Sequence, residues 1–296
     1  MSAAVAALSS AAVDARASET FDHAVARMLP LARITQEREA LRERYLAAKP
    51  FPHLVLDGYF DEQVLDRLAA DFPSRDKRDW LNYDTTDEVK QTSRGMASLS
   101  PYVQAFLLQM NSEPWMEQMR LITGVADMVG DPLYLGGGLH ESFRGGWLNA
   151  HIDWTQHGML PMVRRANMIV YLNRNWDPAW GGALELYDPV TKKAEAKVEP
   201  FFNRAVIFPT REDTYHGFPE PITCPEDRTR KSVSLFYWSP KQEALKEGMW
   251  IRFMPGTKQT RAISLLRQFV PPIVYTARYA VRDFLKGKRA GKAPAG

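Results

Sequence analysis

Between Asp131 and Pro240, short apolar or aromatic runs alternate with Gly, Pro and Asp punctuation. Runs of this length are too short for helices and have the spacing of strands in an all-β sandwich or barrel. The pattern predicts strands near 137–143, 147–153, 166–172, 183–188, 203–209, 213–217 and 230–238.

The flanks read differently. An Ala/Ser-rich lead over 1–20 is expected to be disordered. Residues 21–130 form a support region of helices and a strand. Ile34 to Lys49 reads as a charged helix stopped by Pro50, and His53–Asp57 as a short strand. Asp61 is placed to cap a helix running to Ala70, with Val64, Leu65 and Leu68 on one face. Residues 73–96 are polar and irregular and read as a surface loop. Ser100-Pro101 is a cap followed by proline at the first helical position, and a second helix is expected from near Ser112 to Gly124. The expected organisation is thus this support region, a β core over 131–240, and a helical extension over 241–296.

The chain has 296 residues and a formal net charge of +3, from 38 Lys/Arg and 35 Asp/Glu. That balance conceals a segregation. Residues 241–296 hold 12 Lys/Arg and 3 Asp/Glu, which leaves 26 against 32 for residues 1–240. A mildly acidic body does not offer a nucleic-acid surface, so no nucleic-acid partner is expected. The basic extension carries Ile273, Ala277 and Val281 at helical spacing, with Arg278 and Arg282 on another face. It is expected to pack its apolar stripe on the body, with peripheral contact to an anionic membrane as the alternative.

No apolar run reaches the ~18–20 residues of a membrane span. The first cation, Arg16, follows the apolar lead instead of preceding it, so a cytoplasmic location is expected. Cys224 is the single cysteine, which excludes an intrachain disulfide and a four-thiolate metal site.

His151-Ile152-Asp153 is the informative triplet. On a strand, residues two apart face the same side, so one imidazole and one carboxylate reach a common point. His216, in the β-like stretch TYHGF, is the candidate for a second imidazole. Two histidines and one carboxylate describe a non-haem Fe(II) site with positions left open for chemistry. His23, His53, His140 and His157 are read as structural or solvated. Arg230 and Ser232 are likewise two apart on a strand, and a guanidinium with a hydroxyl beside it suits one end of a dicarboxylate cosubstrate.

Five segments, in chain order, carry a resemblance. PFPHLVLDGYF, GLHESFRGGWLNAHIDW, NMIVYLNRNWDPAWGGALELYDP, NRAVIFPTREDTYHG and RKSVSLFYW together span about Pro50 to Pro240. The stretch resembles the iron(II)- and 2-oxoglutarate-dependent dioxygenases of the prolyl 4-hydroxylase-like group. The resemblance implies a double-stranded β-helix, a cupin-like jelly-roll, with flanking α-helices at the N-terminal side and C-terminus. It implies His151, Asp153 and His216 as the iron ligands. Arg230, Ser232 and the Tyr171 hydroxyl would bind 2-oxoglutarate. It further implies O2 as co-reactant and ascorbate as reductant. The reaction is then hydroxylation of an unactivated C–H bond, with 2-oxoglutarate converted to succinate and CO2.

Asp153 keeps the carboxylate that related halogenases replace with a small residue, which points to a hydroxylase. One departure is Phe143, where many relatives carry Tyr. The missing hydroxyl would have to be supplied from elsewhere, with Asn149 or Asn167 as candidates.

The substrate is open among a small molecule, a glycan and a peptidyl residue. Its selectors are expected in the 73–96 stretch and in the loop between Trp154 and Arg165, where Arg164 and Arg165 read as a solvated pair. Trp147, Trp176 and Trp180 read as packing or rim residues, and Cys224 as no nucleophile. Two further readings stand beside the oxygenase. One is a cupin-like metalloenzyme that does not use 2-oxoglutarate, and the other a non-catalytic, membrane-associated binding module.

Overall fold

The computed structural model describes residues 21–73, 80–241 and 252–254. The expected disorder of 1–20 and the amphipathic helix after Pro271-Pro272 lie outside the described residues.

Helices come first and form the support. They are α1 (Phe21–Ala26), α2 (Leu31–Ala47), α3 (Glu62–Ala70), α4 (Pro101–Met110) and α5 (Glu113–Thr123), with strand β1 (Leu54–Asp57) between α2 and α3. The caps anticipated from sequence form. The Asp61 side chain accepts hydrogen bonds from the Gln63 and Val64 amides, and the Ser100 hydroxyl accepts one from the Val103 amide. Gly124 closes α5 in the left-handed conformation (φ 78°).

The remaining strands are β2 (Leu81–Asp84), β3 (Glu88–Thr92), β4 (Val129–Gly130), β5 (Gly138–Ser142), β6 (Trp147–Ile152), β7 (Met162–Tyr171), β8 (Leu184–Tyr187), β9 (Ala194–Val198), β10 (Arg204–Pro209), β11 (His216–Phe218), β12 (Arg230–Pro240) and β13 (Arg252–Phe253). They pair antiparallel in the order β1-β10-β7-β12-β5-β3-β6-β11-β8-β9, with β2 on β3, β4 on β12 and β13 on β6. The result is a mostly antiparallel, nearly closed jelly-roll barrel with a few helices.

Strand alternation divides the core in two. On β7, Ala166, Met168 and Val170 face the helices; on β12, Val233, Leu235 and Tyr237 do the same. They pack against Val103, Phe106, Met110, Trp115 and Met119 in one large apolar cluster. The intervening residues face inward. Tyr171, Val206, Phe208, Leu184 and Leu186 form a second cluster, with Ile169 packed against it. The same alternation places Asn167 and Tyr171 of β7, and Arg230, Ser232 and Phe236 of β12, on the inner side.

Two expectations are corrected. The 73–96 stretch is no simple surface loop, because its described part contains the β2–β3 hairpin. That hairpin is inserted into the sheet between β5 and β6. Its residues are polar because one face lines a cavity, so hydropathy hid the strands. The expected strand at 213–217 is the shorter β11, since Arg211–Thr214 form a turn in which the Thr214 amide bonds the Arg211 carbonyl.

Candidate metal centre

The centre is built from two neighbouring strands and the residue beyond one of them. His151 on β6 and His216 on β11 are register partners, and their rings lie 4.5 Å apart between centroids. Asp153 follows the end of β6. Its Oδ1 lies 3.5 Å from His151 Nε2, and its Oδ2 lies 3.5 Å from His216 Nε2. One ligand atom from each residue fits within 4.8 Å of the others, and among the described residues this is the one trio of its kind.

This approach requires Gly217. A Cβ there would sit 2.7 Å from the Leu148 carbonyl oxygen and 2.8 Å from that of Asn149. Any side chain would push β11 off β6 and separate the two histidines.

The imidazoles are oriented for a metal. His151 Nδ1 lies 2.9 Å from the Asn149 carbonyl and His216 Nδ1 lies 3.2 Å from that of Thr214. Nδ1–H donating to a carbonyl leaves the Nε2 lone pair facing the centre. Burial, reinforced by the neighbouring His151, pushes the His216 pKa down to about 4, so the ring is neutral at physiological pH.

Burial works against the charge on Asp153. The Arg164 guanidinium, with His151 and His216, more than offsets it and holds the carboxyl well below the ordinary range. Two imidazoles and one ionised carboxylate match the donor set of non-haem iron, so the residues fit Fe(II).

Asp153 has two partners that sequence reading did not assign. Asn167 donates its amide N–H to Asp153 Oδ2, and Arg164 NH1 lies 3.3 Å from the same oxygen. Arg164 is no solvated residue. It is 1% exposed, and its guanidinium carbon lies 3.8 Å from the Phe236 ring centroid, 4.1 Å from Trp154 and 5.0 Å from Trp238. The β7–β12 register shifts between Tyr237 and Trp238 and skips Arg165, and this bulge breaks the alternation, so that Arg164 is buried and Arg165 faces solvent. Spacing gave no signal for this, since Arg164 and Asn167 are three apart and would lie on opposite faces of a regular strand, and a sequence shows neither the bulge nor the aromatic cage.

The anticipated cosubstrate residues also converge. Arg230 is 6% exposed, donates Nε–H to the Gly182 carbonyl at 2.7 Å, and places NH2 3.2 Å from the Tyr171 hydroxyl. Gly182, at φ +79°, has no Cβ to collide with the Arg230 stem, which would lie 3.0 Å away. Ser232 is buried in register with Tyr171.

The candidates to replace a Tyr at Phe143 are committed elsewhere. Asn167 serves Asp153, and Asn149 donates to Asp87 at 3.4 Å. His157 is buried and structural, bonded by the Met159 and Leu160 amides and facing Asp131. Trp176 and Trp180 pack edge to face in a small cluster with Cys224, which bonds the Arg228 carbonyl.

His140, read from the sequence as a residue of the core or pocket mouth and not as a ligand, lines a cavity of about 300 Å³ together with His151 and Asp153. Lys90, Glu88 and Arg94, from the β2–β3 hairpin and the loop after it, complete the polar part of that lining.

Residues 138–238 match the 2OG-Fe(II) oxygenase superfamily. Among solved structures, a prolyl hydroxylase from Trichoplax adhaerens, in complex with a hypoxia inducible factor oxygen degradation domain peptide fragment, is 16% identical. The alignment covers 69% of this chain and 92% of that one, with a TM-score of 0.51. A Pseudomonas putida prolyl-4-hydroxylase is 18% identical over 70% of this chain and 100% of that one, with a TM-score of 0.47. No curated protein matches the chain.

The family match, the jelly-roll and the His-Asp-His centre agree on one class. The matched segment, residues 138–238, holds all three ligands and is that of an iron(II)- and 2-oxoglutarate-dependent dioxygenase, and the chain shares its fold with a prolyl hydroxylase.

Proposed function

We propose that this enzyme hydroxylates an unactivated C–H bond of a small molecule bound in the cavity beside His151 and Asp153, with 2-oxoglutarate held by Arg230, Tyr171 and Ser232. The observation that carries the reading is the pairing of a buried His-Asp-His centre with a cavity that reaches two of its ligands. At about 300 Å³ the cavity lies at the lower end of small-molecule sites. It is too small for an oligosaccharide.

Fe(II) with 2-oxoglutarate supplies the oxidant: one O2 oxygen enters the substrate as hydroxyl, the other enters succinate, and CO2 leaves. The chain's own residues bind and orient. His151, Asp153 and His216 would hold the metal, while Asn167 and Arg164 fix the Asp153 carboxylate from its Oδ2. Arg230 offers its guanidinium to the distal carboxylate of 2-oxoglutarate, with the Tyr171 hydroxyl and Ser232 beside it. Burial lowers the pKa of Arg230 from its usual value, yet a guanidinium stays charged at neutral pH. Trp154 and Phe236 keep the cavity wall apolar and limit water around the reacting carbon.

Anaerobic titration with Fe(II) and then 2-oxoglutarate tests the reading. The weak visible band of the chelate is expected in the native protein and is expected to be lost in Arg230→Ala and His151→Ala. Iron binding without a band would instead favour a metalloenzyme that does not use 2-oxoglutarate.

A further inference from the structure

The β2–β3 hairpin presents an ion pair to the cavity that holds the iron ligands. Lys90 Nζ lies 2.9 Å from Glu88 Oε2, with side chains only 18% and 10% exposed. Both residues line the same cavity as His151 and Asp153. Residues 88 and 90 share a face of β3, and β3 is hydrogen-bonded between β5 and β6, so the pair is fixed to the barrel wall.

An ammonium has three N–H donors and a carboxylate two acceptor oxygens. The mutual contact uses one oxygen of Glu88 and leaves Lys90 with further donors. The cavity therefore offers a cationic donor and an anionic acceptor side by side. Arg94 and His140 add to the polar lining, and the apolar part of the wall includes Leu133, Leu135, Trp154 and Phe236.

A ligand with only a carboxylate would satisfy Lys90 and confront Glu88, and an amine alone would do the reverse. A zwitterion satisfies both and brings no net charge into a partly desolvated site, where an unmatched charge is costly. We propose that the substrate is a free α-amino acid with an apolar side chain, its carboxylate on Lys90, its ammonium on Glu88 and its side-chain carbons directed along the apolar wall toward the metal centre. This rests on the oxygenase reading above and names the substrate class of the same site.

The test uses the full chain loaded anaerobically with Fe(II) and 2-oxoglutarate. Binding is read as perturbation of the chelate band and by calorimetry. The probes are L-leucine, L-isoleucine, L-methionine and L-phenylalanine, each beside its N-acetyl, amide and des-amino forms. At least one free amino acid is expected to bind, with every blocked or des-amino form weaker by about tenfold or more, the loss expected for a hydrogen bond to a charged group.

Lys90→Met keeps the apolar stem and Glu88→Gln keeps the shape. Each is expected to lose amino-acid affinity by a similar factor while the chelate band is retained, which also shows that the variant is folded.

The proposal is overturned if no free amino acid binds at millimolar concentration. It also falls if the N-acetyl or des-amino forms bind as well as the parent, or if both variants keep full affinity. None of these outcomes touches the band itself. Absence of the band in the native protein is the separate result that would remove the oxygenase reading.

Discussion

At Asp153, one oxygen faces His151 while the other is shared by Asn167, Arg164 and His216. Residues behind a metal ligand commonly set affinity by a factor of about 10–100. Arg164→Met keeps the aromatic cage filled but releases Oδ2, so Mn(II) affinity measured by anaerobic calorimetry is expected to fall by that factor. The Arg164→Lys variant should recover part of it.

Two histidines of the site predict how the metal-free protein responds to acid. Burial first of all pushes His140 down to about 3, and it pushes His216 to about 4, from an ordinary 6.5. Unfolded chains therefore bind these protons more readily, and folding stability must fall as pH drops below 6.5 towards 4 and 3. Asp153, held low when folded, adds its own loss only below its ordinary value of 3.8. Urea midpoints of the metal-free protein at pH 7, 6 and 5 should decline in that order. His140→Gln should flatten the slope.

Elements matter here through how closely they pass one another. Strand β11 has three residues, yet it delivers His216 and allows the approach to β6 through Gly217. Gly217→Ala places a Cβ within 2.9 Å of three backbone atoms of residues 148–150. Overpacking of that kind costs about 1–3 kcal/mol. A lowered urea midpoint is expected, together with loss of the Fe(II)–2-oxoglutarate band, since His216 moves with the strand. Strands β7 and β12 act by alternation, sending apolar residues to the helices and Asn167, Tyr171, Arg230 and Ser232 inward. That division could be read from the sequence because a period of two is local. The β2–β3 hairpin could not, because Lys90 and Glu88 look like surface residues until the cavity beside them is known.

Across the whole molecule, the helical layer is fastened to the outer face of the sheet. Trp115 Nε1 donates to the Tyr237 hydroxyl at 2.8 Å, and that hydroxyl donates to the Met110 carbonyl at 3.2 Å, all fully buried. Tyr237→Phe leaves a buried indole N–H without its acceptor, which costs about 1–3 kcal/mol. Chemical denaturation should show that loss while the chelate band stays normal, because Tyr237 faces away from the centre. Among the described residues no helix is long and apolar enough to cross a membrane.

From the sequence alone came the jelly-roll class, most barrel strands, the helix caps and the His151, Asp153 and His216 set. Each follows from information within a few residues or from ordered motifs: periodicity, cap chemistry, and a His-x-Asp pair followed downstream by histidine and Arg-x-Ser. Tertiary structure alone decided that Arg164 is caged behind Asp153, that Asn167 serves the metal ligand, and that Lys90 and Glu88 face the cavity. The physical reason is that a charged side chain has no intrinsic place in a fold. Its role depends on burial and on partners from strands far away in the chain, and those exist only once the sheet has closed.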